Sequence, residues 1–412
     1  MRNTHTYFGI PLLGLAARNL LRQRKRSALA LTTVAGGVIT LLLAGGFFNW
    51  ILDSMRESTI HSQLGHLQIT RPGYFEKGLS EPYSYLLPAD VPAAARDDTD
   101  IVTISPRLAF TGLVSKGEET VSFAGEGIDP DQEAPITKAI TVTTGRDLTE
   151  APHRSALLGE GLAASLGADV GDTIVLLVTT GDRGINAIEL TVCGHFRSVA
   201  KAYDDSVLRI PIDIARQLMR VDGATSWVVL LDETKDTDRM LDELQEVLDP
   251  TRFEVTPWHR LADFYNKTAE LFSQQIGVVR LLIGMIVVLS ISNTLSMTVI
   301  ERTTEIGTVM AIGVRRAGVL GQFVVEGALL GVAGGTIGVL AGWIASVVIS
   351  AIGIPMPPPP GMSSGYTGQI SISPGIALDG FLLAFLTTLI ASILPARKAS
   401  RMNIVDALRC QR

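Results

Sequence analysis

The sequence predicts a membrane protein with four transmembrane α-helices and one large mixed α/β domain outside the cytoplasm. Three observations predict this class. The 412 residues are 47% hydrophobic and only 18% charged, with a mean hydropathy of +0.31, too apolar for an ordinary soluble protein. Four runs carry no charge: Ser27 to Leu52, Leu281 to Ile300, Gly327 to about Ile354, and Gly380 to Ala396. Each is near or above the roughly 17–25 residues that a membrane helix needs. Finally, Lys and Arg gather beside these runs, whereas the long segment between the first two is acidic.

The chain divides accordingly. Residues 1–26 form a basic N-terminus with an amphipathic helix, and 27–52 the first span. That span is too long for a cleavable signal peptide, whose apolar core runs about 7–15 residues, so it reads as a signal anchor. Residues 53–275 form the outer domain, 276–300 the second span, 301–326 a charged loop and 327–353 the third span. A Pro-rich loop at 354–375 follows, its prolines Pro357 to Pro360 being unable to continue a helix. The fourth span covers 376–396 and a tail 397–412.

Orientation follows from the basic residues flanking the spans. The N-terminus, the 301–326 loop and the tail together hold fourteen basic and four acidic residues, while the rest of the chain holds 21 and 37. Both termini and the loop are therefore expected in the cytoplasm, with the domain on the far side. Cys193 and Cys410 then sit on opposite sides and cannot pair, so the domain must rely on its hydrophobic core.

The first span is expected to continue as a stalk helix to about Gln63, ending at Gly65 before a strand at His66 to Thr70. A second stalk helix should run from about Pro257 into the second span without a break. Between them, strands are expected at 101–105, 107–115, 119–126, 173–179, 186–197, 206–211, 226–232 and 252–256. Helices are expected at 88–96, 155–166, 211–220 and 236–248. One arrangement is a base from about 64–112 and 212–256 with an inserted β-rich lobe.

Several motifs here have ordinary explanations. Gly159 to Gly161 and Gly167 to Asp172 look like phosphate loops, but no GxxxxGK[ST] or proper GxGxxG follows a strand, so a helix stop and a turn are the reading. His61, His66, His195 and His259 read as surface or packing residues rather than metal ligands. No Ser/His/Asp or paired-carboxylate signature stands out. Asp379 reads as an interfacial residue.

The patterned polar residues lie instead in Glu301 to Arg316, a charged amphipathic segment between two long spans. Glu301, Arg302, Glu305, Ile306, Gly307, Ala311 and Gly313 match E-R-x-x-E-I-G-x-x-x-A-x-G. This resembles the coupling helix of ABC-transporter permeases of the FtsX/MacB/LolC-LolE superfamily. The stretch Leu15 to Ser27 resembles the elbow that precedes the first span in that family, and Pro395 to Arg409 its C-terminal signature. The order of one span, a large outer domain and three spans is similar along the whole chain. Gly65 to Ile69 and the Pro357 to Pro360 loop look closest to the LolC/LolE-like branch.

The resemblance implies that the outer domain is a MacB-like periplasmic core. The sequence contains no Walker A motif, so a separate ABC ATPase, in two copies, would bind ATP and Mg, and this chain would be a non-catalytic permease with no cofactor or metal of its own. The permease would pair with an identical copy or a paralogue in the bacterial inner membrane, among membrane lipids and without nucleic acid. ATPase closure would push the coupling segment, and the stalks would pass the movement outward to extract or export lipoproteins or another amphiphile. Phe47, Phe48, Trp50, Ile51, Met55, Leu271, Phe272, Ile276 and Val279 are the expected cargo contacts. The alternatives are FtsX-like regulation of an extracytoplasmic partner and MacB-like efflux with a periplasmic adaptor. A periplasmic chaperone or adaptor would be the further partner.

Overall fold

The computed structural model describes residues 10–22, 24–78, 82–92, 99–198, 200–357, 365–404 and 407. In chain order, α1 (Ile10–Arg22) and α2 (Arg24–Thr59) precede strands β1 (Leu67–Thr70), β2 (Ile101–Lys116) and β3 (Glu119–Ile128). Next come α3 (Pro130–Glu133), β4 (Thr141–Gly145), β5 (Ser155–Gly159), α4 (Glu160–Leu166), β6 (Thr173–Thr179) and β7 (Ile185–Arg197). The domain continues through α5 (Lys201–Asp204), β8 (Val207–Pro211), α6 (Ile212–Met219), β9 (Ser226–Leu231), α7 (Thr237–Val247) and β10 (Glu254–Pro257). Then follow α8 (Trp258–Leu261), α9 (Asp263–Glu301), α10 (Thr303–Ala311), α11 (Arg316–Ile352) and α12 (Pro374–Ser400). The chain forms two compact units. One holds Met1–Leu52, Ala269–Ile354 and Thr367–Arg412; the other holds Asp53–Thr268 and Pro355–Tyr366.

In the first unit α2, α9, α11 and α12 are long and apolar enough to cross a membrane. The helix α11 packs through two glycine rows, one per face. Gly327, Gly331 and Gly335 meet Ser392, Thr388 and Phe381 of α12, where an added Cβ would fall within 3 Å of each neighbour. Gly334 and Gly338 meet Val34 and Val38 of α2 just as closely. Small residues four apart let helix backbones approach where lipid supplies no hydrophobic drive between helices. In the sequence these rows are masked by the uniformly apolar run in which they lie. The helix α11 also starts well before the expected span, so the second half of the 301–326 loop is helical.

The second unit is built on one ten-stranded sheet in the order β10-β1-β9-β2-β3-β8-β5-β7-β4, with β6 pairing both β2 and β7. The expected strands at 101–105 and 107–115 are one strand, β2. It pairs with β9 near its start and with β3 and β6 near its end. A separate base and lobe therefore give way to one sheet carrying two cores, one around Trp227 and Leu244 and one around Phe110 and Leu162. The helix α6, assigned to the base, packs in the second core. The strand β9 is buried on both faces: Trp227, Val229 and Leu231 join the Leu244 core, while Val228 and Leu230 pack with Ile60. That is the period-2 alternation of a central strand.

Three other expectations shift. The expected helix 155–166 is strand β5 followed by the short helix α4, because Ser155 to Gly159 is an apolar run paired with β7 and β8. The second stalk is interrupted at Ala262, where ψ of 60° leaves the helical region between α8 and α9. Helix 88–96 is not formed over 88–92, and the rest of it lies outside the described residues. The first stalk ends in a wide turn, Ile60–Leu64, closed by Gly65 at φ 61°. A Cβ there would meet Val228 and the Val229 carbonyl, so glycine is needed for both conformation and space. The Gly159 to Asp172 motifs are turns: Gly167 caps α4 in the left-handed region and Gly171 turns into β6.

Beneath that turn lies a buried charge cluster. The Arg107 guanidinium pairs with Glu133 and donates to the Gln63 carbonyl, while Ser105 donates to Glu133 at 2.6 Å. The Arg209 side chain donates to Glu126 at 3.0 Å, to the Tyr203 hydroxyl at 2.8 Å and to the Ser62 carbonyl at 3.4 Å. Two arginines thus satisfy carbonyls that the end of the stalk helix leaves open. Burial works against the charge on Glu133, but Arg107 and Arg209 outweigh it and hold the carboxyl below its usual range. Burial likewise raises the Tyr203 hydroxyl well above its usual value, so it stays a neutral donor to Glu126.

Candidate functional site

The segment from Glu301 to Arg316 is built from a helix end, a break and a short helix. The helix α9 stops at Glu301, Arg302 adopts φ −98° and ψ 14°, and α10 runs from Thr303 to Ala311. Gly313 then turns at φ 106°, and α11 starts at Arg316. Four apolar residues of Glu301–Arg316 fall into two sets. Ile306 and Met310 are buried against Val299, Val319, Phe323, Ala396 and Ala399, whereas Val309 and Ile312 point outward. Ile312 is 81% exposed, and Val309 and Val314 are 42% and 44% exposed. Arg315 and Arg316 are exposed beside them. The single helical face expected from the sequence is therefore split between an anchoring side and an open side.

The polar residues of the motif turn inward or sideways. The Arg302 side chain donates to Glu305 at 3.0 Å and to Glu326 at 3.4 Å. Glu301 pairs with Arg26 of α2, and Glu305 lies 3.5 Å from Arg22 of α1. Glu326, 2% exposed within α11, also accepts from Asn19 at 2.8 Å and Gln322 at 3.5 Å. Of the residues expected to meet an ATPase, Glu301, Arg302, Glu305 and Ile306 make contacts that hold the segment in place, Gly307 is buried, Ala311 is exposed and Gly313 makes the turn. Asn19, Arg22, Arg26 and Glu326 were missed as site residues. A lone carboxylate opening an apolar run was the available signal, since an ionisable residue there calls for a partner.

The expected cargo contacts are only partly gathered. The Phe48 and Phe272 rings lie 4.8 Å apart, and Phe47 and Phe48 lie 6.2 Å apart. Ile276 lines a recess with Leu41, Gly45, Asn49, Leu52 and Ile376. Leu271 is exposed, Trp50, Ile51 and Val279 are half-buried, and Met55 belongs to the other unit. At the recess Arg280 of α9 donates to Asp379 at 3.0 Å. Asp379, read as an interfacial residue, lies in the second turn of α12 and is paired with Arg280. The Pro357 to Pro360 loop past Pro357 and four residues of the C-terminal signature, Val405, Asp406, Leu408 and Arg409, lie outside the described residues.

The histidines have local duties. His66 is buried, its Nδ1 accepts from the Leu231 N–H at 3.0 Å, and Nε2 therefore donates to Thr234, 3.0 Å away. Thr234 passes the bond on to Glu57 at 3.1 Å. Burial, helped by neighbouring His61, lowers the His66 pKa to about 4. Burial pushes the Cys193 thiol up to about 11, so it is an inert packing group. Among the described residues no cluster of three His, Cys, Asp or Glu is placed to hold a metal.

Two family descriptions match the chain: the MacB-like periplasmic core domain over residues 27–247 and the FtsX-like permease C-terminal region over 277–404. The first alone spans more than half of the chain, which therefore belongs to the ABC-transporter permeases of the FtsX/MacB/LolC superfamily. It is a multi-pass membrane protein with a large extracytoplasmic domain. An uncharacterised ABC transporter permease of Methanocaldococcus jannaschii is 26% identical over 65% of this chain and 65% of its own length. The lipoprotein-releasing system transmembrane protein LolC of Xylella fastidiosa is 24% identical over 77% of this chain and 80% of its own. The macrolide export ATP-binding/permease protein MacB of Brucella abortus is 32% identical over 59% of this chain and 31% of its own.

Proposed function

We propose that this chain is the permease of an ATP-driven machine that extracts or exports lipoproteins or another amphiphile at the inner membrane. Two copies of a separate ATPase bind ATP and Mg, both termini and α10 face the cytoplasm, and a second permease, identical or paralogous, completes the pair. The observation that carries this reading is the two-sided α10. Its Ile306 and Met310 side is seated on α9, α11 and α12, while Val309, Ile312 and Val314 offer an exposed apolar knob beside Arg315 and Arg316. An exposed Ile at the C-terminal cap of a nine-residue helix, followed by two exposed arginines in the turn to α11, suits insertion into a partner groove. A push there reaches α9 and α11, the helices on which α10 is seated.

The cargo class is supported by LolC, named for lipoprotein release, which this chain matches over four fifths of that protein's length. The Phe48 and Phe272 rings, in tilted contact, fit an amphiphile better than an ion or sugar. The test is co-purification with the ATPase encoded nearby, followed by mass spectrometry of bound material. Because Glu305 is paired with Arg302 and Gly307 is buried, the informative variant is Val309→Asp with Ile312→Asp. Loss of the ATPase in that variant, with acylated protein on the wild type, is the expected result. An ATPase that stays bound, or never binds the wild type, defeats the coupling reading.

A further inference from the structure

A buried carboxylate in an apolar helix persists only where donors compensate it. Glu326 is such a group, and its donors come from places far apart in sequence. Its Oε1 accepts from Asn19 of α1, from Arg302 at the hinge between α9 and α10, and from Gln322 of its own helix. One oxygen therefore ties the elbow helix, the coupling hinge and α11 together. A second, exposed link runs in parallel, from Arg22 of α1 to Glu305 of α10. The segment that carries Val309 and Ile312 is thus fastened to α1 as well as to its flanking helices.

Resting on the coupling role proposed for α10, we infer that Glu326 is a positioning residue that clamps the Arg302 hinge to the elbow helix. A displacement of α10 then moves α1 and the start of α11 as one body. Without the clamp, α10 pivots about Arg302 and Gly313 and the elbow is left behind. Glu326 touches no partner itself and acts only through Arg302 and Asn19.

The experiment places spin labels at Ala17→Cys on α1 and Thr308→Cys on α10, both exposed sites, in the full chain with Cys193→Ala and Cys410→Ser. Pulsed dipolar spectroscopy then reads their distance with and without the co-expressed ATPase and ATP. The expected wild-type result is one narrow distribution that ATP leaves unchanged. Glu326→Ala should broaden it about twofold, and ATP should now shift its mean, while the ATPase still co-purifies because Ile312 remains exposed. Glu326→Gln, which keeps an acceptor for Asn19 but no charge for Arg302, should fall between. Asn19→Ala covers the case in which Glu326→Ala fails to fold, and it should broaden the distribution by itself. A narrow, ATP-insensitive distribution in the variants overturns the clamp. Failure of the wild type to bind an ATPase is a separate outcome: it defeats the coupling role, and the widths measured without ATPase still decide the clamp.

Discussion

The two units each bury carboxylates, and they do so in different ways. In the extracytoplasmic domain Glu133 and Glu126 face Arg107 and Arg209, so charges balance within a closed set, and Ser105 and Tyr203 add donors. Nearly every partner comes from one sheet or from the turn it supports. In the membrane unit Glu326 is a single carboxylate whose donors reach in from α1 and from a hinge. The first arrangement makes a fixed joint under the end of the stalk. The second makes a clamp whose jaws belong to separate helices. The difference is one of connectivity: the first set closes on itself, while the second links helices far apart in the chain.

That contrast is broken most severely at the joint. Glu133→Gln leaves Arg107 and Arg209 short of one countercharge, and removing one partner of a buried pair costs about 3–5 kcal/mol. Denaturant unfolding of the full chain in detergent should show this loss, and a change below about 1 kcal/mol would mean that Glu126 alone suffices.

Acid probes the same unit more gently. The folded His66 pKa of about 4 lies below its ordinary 6.5, so below pH 6.5 the unfolded chain takes up a proton that the folded one refuses. Stability should be full above pH 6.5 and fall as pH drops towards 4, by roughly 2–3 kcal/mol. A His66→Gln chain should lose most of that slope, keeping the smaller part owed to His61, whose pKa burial also lowers, and the decline at lower pH, where Glu133 and other carboxylates protonate. An unchanged slope in the variant would assign it elsewhere.

The clamp should respond less in stability than in motion. Asn19→Ala removes one hydrogen bond to a buried carboxylate, a loss of about 1.5–3 kcal/mol at most, read by thermal unfolding. Arg22→Ala, which removes only the exposed pair with Glu305, should cost less than about 1 kcal/mol. If the two were reversed, the exposed pair and not Glu326 would be the principal fastening.

Much of the fold was legible in the sequence. The strands near 173–179 and 226–232 and the helices near 211–220 and 236–248 appear within a residue or two of expectation as β6, β9, α6 and α7. Their alternation and apolar spacing are local signals. Ser155 to Gly159 misled, because a short apolar run reads equally as strand or helix until its neighbours β7 and β8 are known. At the candidate site the motif located the coupling segment but not its orientation. Ile306 and Ile312 are both isoleucine on one short segment, and only contact with Phe323 and Ala396 separates the buried one from the exposed one.

By itself the sequence determined the four apolar spans, the acidic domain between the first two, and the short charged segment between the second and third. Each of these is a sum over neighbouring residues, and such sums survive any packing. Tertiary structure alone decided that β2 joins two cores in one sheet, that the two glycine rows of α11 face different helices, and that Asn19 meets Glu326. Those outcomes depend on contacts between residues far apart in the chain, where side-chain volume, desolvation and hydrogen-bond geometry select one partner among many.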